Sequence, residues 1–150
     1  MKTIRLVLFL GLLASLSVVG APARGGERTT IQAILVSASN DKGATDRRLA
    51  AYEPTLRRIL RFESYRVLGE GSAAIAVPAK GTVSLGNGHR LELETEAADG
   101  KSIRVRVNWT VGRDSLMNTA LALRPGVPAV LGGPASGGKG EVYAVILIAN

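Results

Sequence analysis

Residues 90–111, RLELETEAADGKSIRVRVNWTV, contain two runs in which polar and apolar residues alternate. Such alternation is typical of β-strands that bury one face and expose the other. Ala98, Asp99 and Gly100 lie between the two runs, and a short turn there predicts an antiparallel hairpin. This hairpin predicts a fold that is mainly β.

The hairpin sequence also predicts a register. Because side chains alternate between faces, the pairing must join odd positions to odd positions. A three-residue loop over 98–100 satisfies that parity. It sets Glu92 against Arg106 and Glu94 against Arg104, and each such pair contributes about 0.2–1 kcal/mol.

Further strands are predicted on both sides of the hairpin, separated by glycine-rich turns such as the one over 69–72. The first and last strands are apolar on both faces, so we expect both of their faces to be covered. From residue 64 onward the spacing is typical of an antiparallel meander. The predicted strands are residues 29–39, 64–68, 73–77, 81–85, 90–97, 102–111, 119–123, 129–131 and 142–149.

One segment near the N-terminus has helical periodicity instead, with apolar residues on one arc and four arginines on the opposite arc. The apolar positions are Leu49, Tyr52, Leu56, Ile59 and Leu60, and the arginines are Arg47, Arg57, Arg58 and Arg61. Pro54 would clash with the preceding turn of an unbroken helix. We therefore expect a short turn over 46–52, with Thr45 or Asp46 as N-cap, and then a helix that starts at Pro54. A helix kinked at Pro54 is the alternative.

These patterns together predict an α+β fold that is mainly antiparallel β. We expect a twisted sheet or a two-layer β-sandwich, with the amphipathic helix packed on one face or closing one end. Residues 29–150 are expected to form a single β-rich domain, and residues 24–28 a mobile lead-in.

Residues 1–23 have the composition of a signal peptide. Lys2 and Arg5 precede the apolar run 6–19, and Ala21-Pro22-Ala23 provides small residues before a cleavage point. The run is shorter than the roughly 20 residues of a membrane-spanning helix, although retention as an anchor is the alternative. We expect a periplasmic or secreted protein without a transmembrane helix after processing. The chain has no cysteine, which excludes disulfides and a thiolate nucleophile.

The charge is unevenly distributed. The chain has a formal net charge of +7, and its basic excess is concentrated between residues 24 and 68. The arginine arc therefore predicts a contact with another envelope or extracellular protein of acidic character, or with an acidic glycan. A solvated outer helix face is the competing interpretation. Nucleic acid is not expected as a partner, because the strands lack interleaved aromatic residues.

Catalytic motifs are weak. Residues 133–139 match the glycine and lysine skeleton of a phosphate-binding loop, but Gly140 replaces the Ser or Thr and a strand follows. Ser72 and His89 are the candidates for a hydrolase pair, although His89 is expected to be exposed in a turn. The sequence predicts no catalytic, cofactor or metal site. Our hypothesis is a non-enzymatic binding or assembly module that contacts its partner through the basic helix face or through an exposed sheet edge. A glycan or polyanion binder is the first alternative, and a hydrolase with an unrecognised site is the second.

Overall fold

The computed structural model describes residues 28–97, 102–135 and 140–150. The expected signal peptide, and all but the last residue of the expected lead-in, lie outside these ranges. A 3₁₀ turn at Arg47–Leu49 lies between the first strand and the helix. The other elements are β1 (Arg28–Ser39), α1 (Glu53–Leu60), β2 (Ser64–Ala76), β3 (Ala79–Gly86), β4 (His89–Ala97), β5 (Ile103–Val111), β6 (Asp114–Leu123), β7 (Ala129–Ala135) and β8 (Val142–Ala149).

The described strands form two four-stranded antiparallel sheets. The first sheet has the order β2-β1-β8-β7 and the second has the order β3-β4-β5-β6. The meander expected from residue 64 onward is therefore wrong for the first sheet, where the first and last strands of the chain pair in the middle. The physical reason is burial: these two strands are apolar on both faces, and only the centre of a sheet covered on both sides hides both.

The two sheets face each other across a shared apolar core, as in a β-sandwich. Ile31 and Leu35 reach this core from β1, and Leu93 and Val107 reach it from the second sheet. The alternate residues of β1 and β8 point to the other side of the first sheet, where they pack with the helix in a second core. That second core includes Ile34, Val36, Leu49, Leu56, Tyr65, Ile146 and Ile148.

The observed β4–β5 register is offset by two residues from the expected one. Glu94 is opposite Arg106 and Glu92 is opposite Asn108, whereas the three-residue loop predicted other partners. Strand pairing ends at Ala97 and Ile103, so the connection is longer than three residues. The odd-to-odd parity is confirmed. A shift of two residues leaves every side chain on its face and still opposes opposite charges, so the alternating pattern cannot distinguish these registers.

The expected break before the helix is confirmed. The 3₁₀ turn ends at Leu49, and α1 begins at Glu53 with Pro54 in its first turn. Asp46 is the N-cap of the 3₁₀ turn, where its carboxylate accepts a hydrogen bond from the Arg48 N–H at 3.0 Å. The expectation for Ile59 is wrong, since its side chain is 48% exposed. The helix has only eight residues, and Leu56 and Leu60 are the α1 residues that pack into the second core.

The glycine-rich turn expected at residues 69–72 is also wrong, because β2 runs through it without interruption. These glycines allow β2 and β3 to approach each other closely. A Cβ atom on Gly69 would overlap the carbonyl oxygen of Leu85, and one on Gly71 would overlap that of Ser84. Glycine inside a strand often marks such an approach of another backbone. The contact joins the two sheets along β2 and β3.

Candidate functional site

The four arginines of the expected binding face lie on the 3₁₀ turn and on α1. We call Arg47, Arg57, Arg58 and Arg61 the basic helical surface. All four side chains are exposed. The opposite side of the same segment is anchored by Leu56, which has no exposed surface. The amphipathic pattern therefore places the charges on the solvent side, as expected from the sequence.

Arg57 already has partners within the protein. Its Nε donates to Oε1 of Glu53 at 2.9 Å, and a terminal nitrogen donates to the backbone oxygen of Glu63 at 2.9 Å. The first contact is an i,i+4 ion pair on the helix, and the second holds the chain that leaves the helix. Both contacts are exposed, so we expect them to contribute little to stability. They do hold the Arg57 guanidinium in one orientation.

Arg48 lies beside the basic helical surface and was not among the expected site residues. Its guanidinium donates two hydrogen bonds to the Asp46 carboxylate, at 3.2 and 2.9 Å. These bonds lower the pKa of Asp46 below its usual value and raise that of Arg48. The side chain is thus neutralised locally. The two-residue spacing from Asp46 could have indicated this pairing in the sequence.

Three cations of the surface are not neutralised in this way. The side chains of Arg47, Arg58 and Arg61 form no hydrogen bond or ion pair with any residue in the described ranges. Arg61 ends the helix in a left-handed conformation with φ 56°, and its N–H is bonded to the Arg57 carbonyl. Positive side chains are favourable at a helix C-terminus. A planar guanidinium can donate two parallel hydrogen bonds to a carboxylate, sulfate or phosphate group.

The structure corrects the expectation for His89. Its ring is buried, with 4% of the residue exposed, and its Nδ1 accepts a hydrogen bond from Nε1 of Trp109 at 3.0 Å. Tyr143 contacts the same imidazole edge-on, with ring centroids 4.7 Å apart. Burial lowers the pKa of His89. Position 89 shares the odd parity of the inward residues Leu91 and Leu93, and this was the signal in the sequence for its burial.

Ser72, the other half of the possible hydrolase pair, is in β2. No hydrogen bond joins its hydroxyl to His89 in the described part of the chain, and the Nδ1 of His89 is occupied by Trp109. The structure therefore does not bring these two candidate residues together as a hydrogen-bonded pair.

The phosphate-loop skeleton begins inside a strand. Gly133 belongs to β7, and residues 136–139 lie outside the described ranges. A Cβ atom on Gly133 would overlap the six-membered ring of Trp109. Glycine is needed here because the indole lies against the strand backbone.

The outer face of the second sheet carries a polar groove of about 510 Å³. A chain of hydrogen bonds crosses its strands. Asn108 donates to Glu92 at 3.2 Å and accepts from the Ser115 hydroxyl at 2.7 Å, and Arg90 is 3.4 Å from the same glutamate. These bonds engage Arg90, Glu92 and Asn108 of the groove lining with one another or with Ser115.

Within the ranges the structure describes, no three His, Asp or Glu side chains are grouped so that they could hold a metal ion. No helix in the described part of the chain is long and apolar enough to cross a membrane. Among the described residues, the basic helical surface carries three exposed arginines, Arg47, Arg58 and Arg61, without an internal ion pair. The chain matches no family model, no curated protein and no solved structure with which it was compared.

Proposed function

We propose that this chain is an exported, non-enzymatic binding module that contacts an acidic macromolecule through the basic helical surface. The observation that carries the proposal is the set of three exposed arginines, Arg47, Arg58 and Arg61, which have no acidic partner among the described residues. Because they are exposed and unpaired, an external carboxylate can bind them without first breaking an internal ion pair.

The scaffold beneath these arginines supports the proposal. The 3₁₀ turn is held on the first sheet by Leu49 and the helix by Leu56, and both side chains are completely buried. Arg58 lies on α1 and Arg61 is its C-cap residue, so both are attached to the backbone of the same anchored helix. A partner therefore meets two positive side chains on a backbone that is ordered before binding, and this reduces the entropy lost on association.

Export is part of the proposal and rests on residues 1–23. Lys2 and Arg5, the apolar run that follows and the small residues up to Ala23 have the order of a signal peptide. N-terminal sequencing of the protein recovered outside the cytoplasm tests it. We expect the mature chain to begin at Arg24, and an intact Met1 would contradict export by cleavage.

The binding proposal can be tested with columns of polyglutamate and of heparin, which represent an acidic protein and an acidic glycan. The wild-type protein should be retained at low salt and released as salt is raised, since exposed ion pairs are screened. The double variant Arg58→Glu/Arg61→Glu should pass through at low salt. Arg113→Glu, which changes an exposed arginine in the β5–β6 turn, is the control and should be retained nearly as well as wild type.

Each result identifies the partner class. Retention on polyglutamate supports an acidic protein partner, whereas retention on heparin alone supports the glycan alternative. If Arg113→Glu weakens retention as much as the double variant does, net charge and not the basic helical surface is responsible, and the proposal is wrong. Equal retention of the double variant and the wild type would also overturn it.

A further inference from the structure

The last strand of the second sheet, β6, lacks the residues that usually block pairing at a sheet edge. Residues 115–123, SLMNTALAL, contain no charged residue, no proline and no glycine. On one side β6 pairs with β5, and no described strand pairs with its other side. A shift in the β5 pairing occurs before Met117, so the regular part of the edge runs over 117–123.

The other edge strands carry protective features. β2 and β3 lie against each other, and Asn87 in the turn after β3 donates from Nδ2 to the Leu68 carbonyl of β2 at 3.3 Å. β7 has a pairing irregularity between Gly132 and Ala135, and it contains Pro134. Proline, bulges and coverage by another element are the usual ways in which proteins block edge-to-edge pairing. Along 117–123, β6 has neither proline nor a pairing shift, and it approaches β7 and β8 much less extensively than β2 approaches β3.

The side chains of β6 are also suited to a neighbouring strand. Met117 and Leu121 point toward the shared core but remain half-buried, and they contact it from one side. Asn118, Ala120 and Ala122 point outward, and all three are small or uncharged and exposed. A strand added along this edge would cover the half-buried pair and would meet no charge.

We propose that β6 pairs antiparallel with β6 of a second copy of this chain, which joins two four-stranded sheets into one sheet of eight strands. A second copy fits because two-fold antiparallel pairing is self-complementary. Any register that keeps odd positions opposite odd positions sets the inward residues against each other, and three of these four, Met117, Leu121 and Leu123, are apolar while Thr119 is not. It sets uncharged outward residues of β6 against each other, and the nearest outward charges, Arg104 and Arg106, lie one strand away in β5, opposite Ala122 and Ala120.

The test is sedimentation velocity of the purified protein over a concentration series. It is carried out at high salt without any acidic partner, so that its outcome is independent of the basic helical surface. We expect a concentration-dependent change from one chain to two. A protein that stays monomeric up to the solubility limit would overturn the proposal.

Charge variants locate the interface. Ala120→Lys/Ala122→Lys and Ala120→Glu/Ala122→Glu each change only outward, exposed positions, and each should be monomeric alone because like charges meet across the pair. Mixing the two variants should restore a dimer. Thr82→Lys/Ser84→Lys, on the same face at the opposite edge of the sheet, is the matched control and should dimerise like wild type.

Circular dichroism and thermal melting should first show that all variants are folded. If the lysine and glutamate variants of β6 each dimerise alone, association occurs through a different surface and the proposal is wrong. If the control variant is the one that becomes monomeric, the interface is at β3 and the proposal is equally wrong.

Discussion

Nε1 of Trp109 donates a hydrogen bond to Nδ1 of His89 over 3.0 Å, inside the core that the two sheets share. His89 is the only histidine of the chain, and its Nδ1 can accept this bond only when it carries no proton. The fold therefore favours the neutral imidazole, and burial lowers the pKa of His89 from 6.5.

This bond predicts a pH dependence of stability. Above pH 6.5 the imidazole is neutral in both states, and the contribution of the bond is fully present. As the pH falls below 6.5, the unfolded chain takes up the proton first, so the free energy of unfolding decreases until the lower pKa of the folded state is reached. Urea unfolding at a series of pH values from 8 to 5 measures this decrease. His89→Gln keeps an acceptor that does not titrate, so its curve should be flatter; an equally steep curve would assign the effect to another group.

Gly69 should not tolerate a side chain. A Cβ atom there would overlap the Leu85 carbonyl oxygen, and backbone cannot move aside as a flexible side chain can. We expect Gly69→Ala to lower the free energy of unfolding by about 3 kcal/mol, the upper range for overpacking. Gly43→Ala is the matched control, since its nearest neighbours would be atoms of Ser64 at 3.8 and 3.9 Å. Equal stability of the two variants in chemical unfolding would show that β2 and β3 do not approach each other as described.

The Thr95 hydroxyl holds the connection between β2 and β3. It lies 2.6 Å from the Ala76 carbonyl, to which it donates, and it accepts from the Ala79 N–H at 3.0 Å. Thr95 is buried, with 1% of its surface exposed. Thr95→Val leaves both backbone groups without this partner and should cost about 1–3 kcal/mol. Thr95→Ser keeps the hydroxyl, so thermal melting should place it nearer to wild type than Thr95→Val.

Leu56 and Ile59 provide a test of which helix side is anchored. Leu56→Ala removes a completely buried side chain and should lower stability by about 2–5 kcal/mol. Ile59→Ala changes a half-exposed position on the same helix and should lie within about 0.5 kcal/mol of wild type. Chemical unfolding of both variants measures the difference. A larger loss for Ile59→Ala would mean that the helix is rotated relative to the first sheet.

Short-range sequence patterns correctly predicted the break before the helix, the faces of two strands and the exposed side of the helix. Pro54 could not continue a helix from the residues before it, and the structure has a 3₁₀ turn and then a separate α-helix. The period of two assigned the faces of β4 and β5 correctly, because it depends only on the neighbours of each residue along the chain. The exposure of Arg47, Arg57, Arg58 and Arg61 followed from the arc opposite the apolar residues. The sequence did not show that the side chain of Arg57, alone of the four, has partners inside the described part of the chain, because these are Glu53 and the backbone of Glu63.

The sequence by itself determined the faces of these strands, the break before the helix and the side of the helix that carries charge, because these properties arise within a few residues. Only the tertiary structure decided the offset of two residues between β4 and β5, the pairing of β1 with β8 and the burial of His89 beside Trp109. The tertiary structure also decided why residue 69 is glycine. In the sequence, a glycine needed for close approach of a second strand cannot be distinguished from a glycine needed in a turn. The physical reason is common to these cases. They depend on partners distant in the chain, and alternation of polar and apolar residues is compatible with more than one such partner.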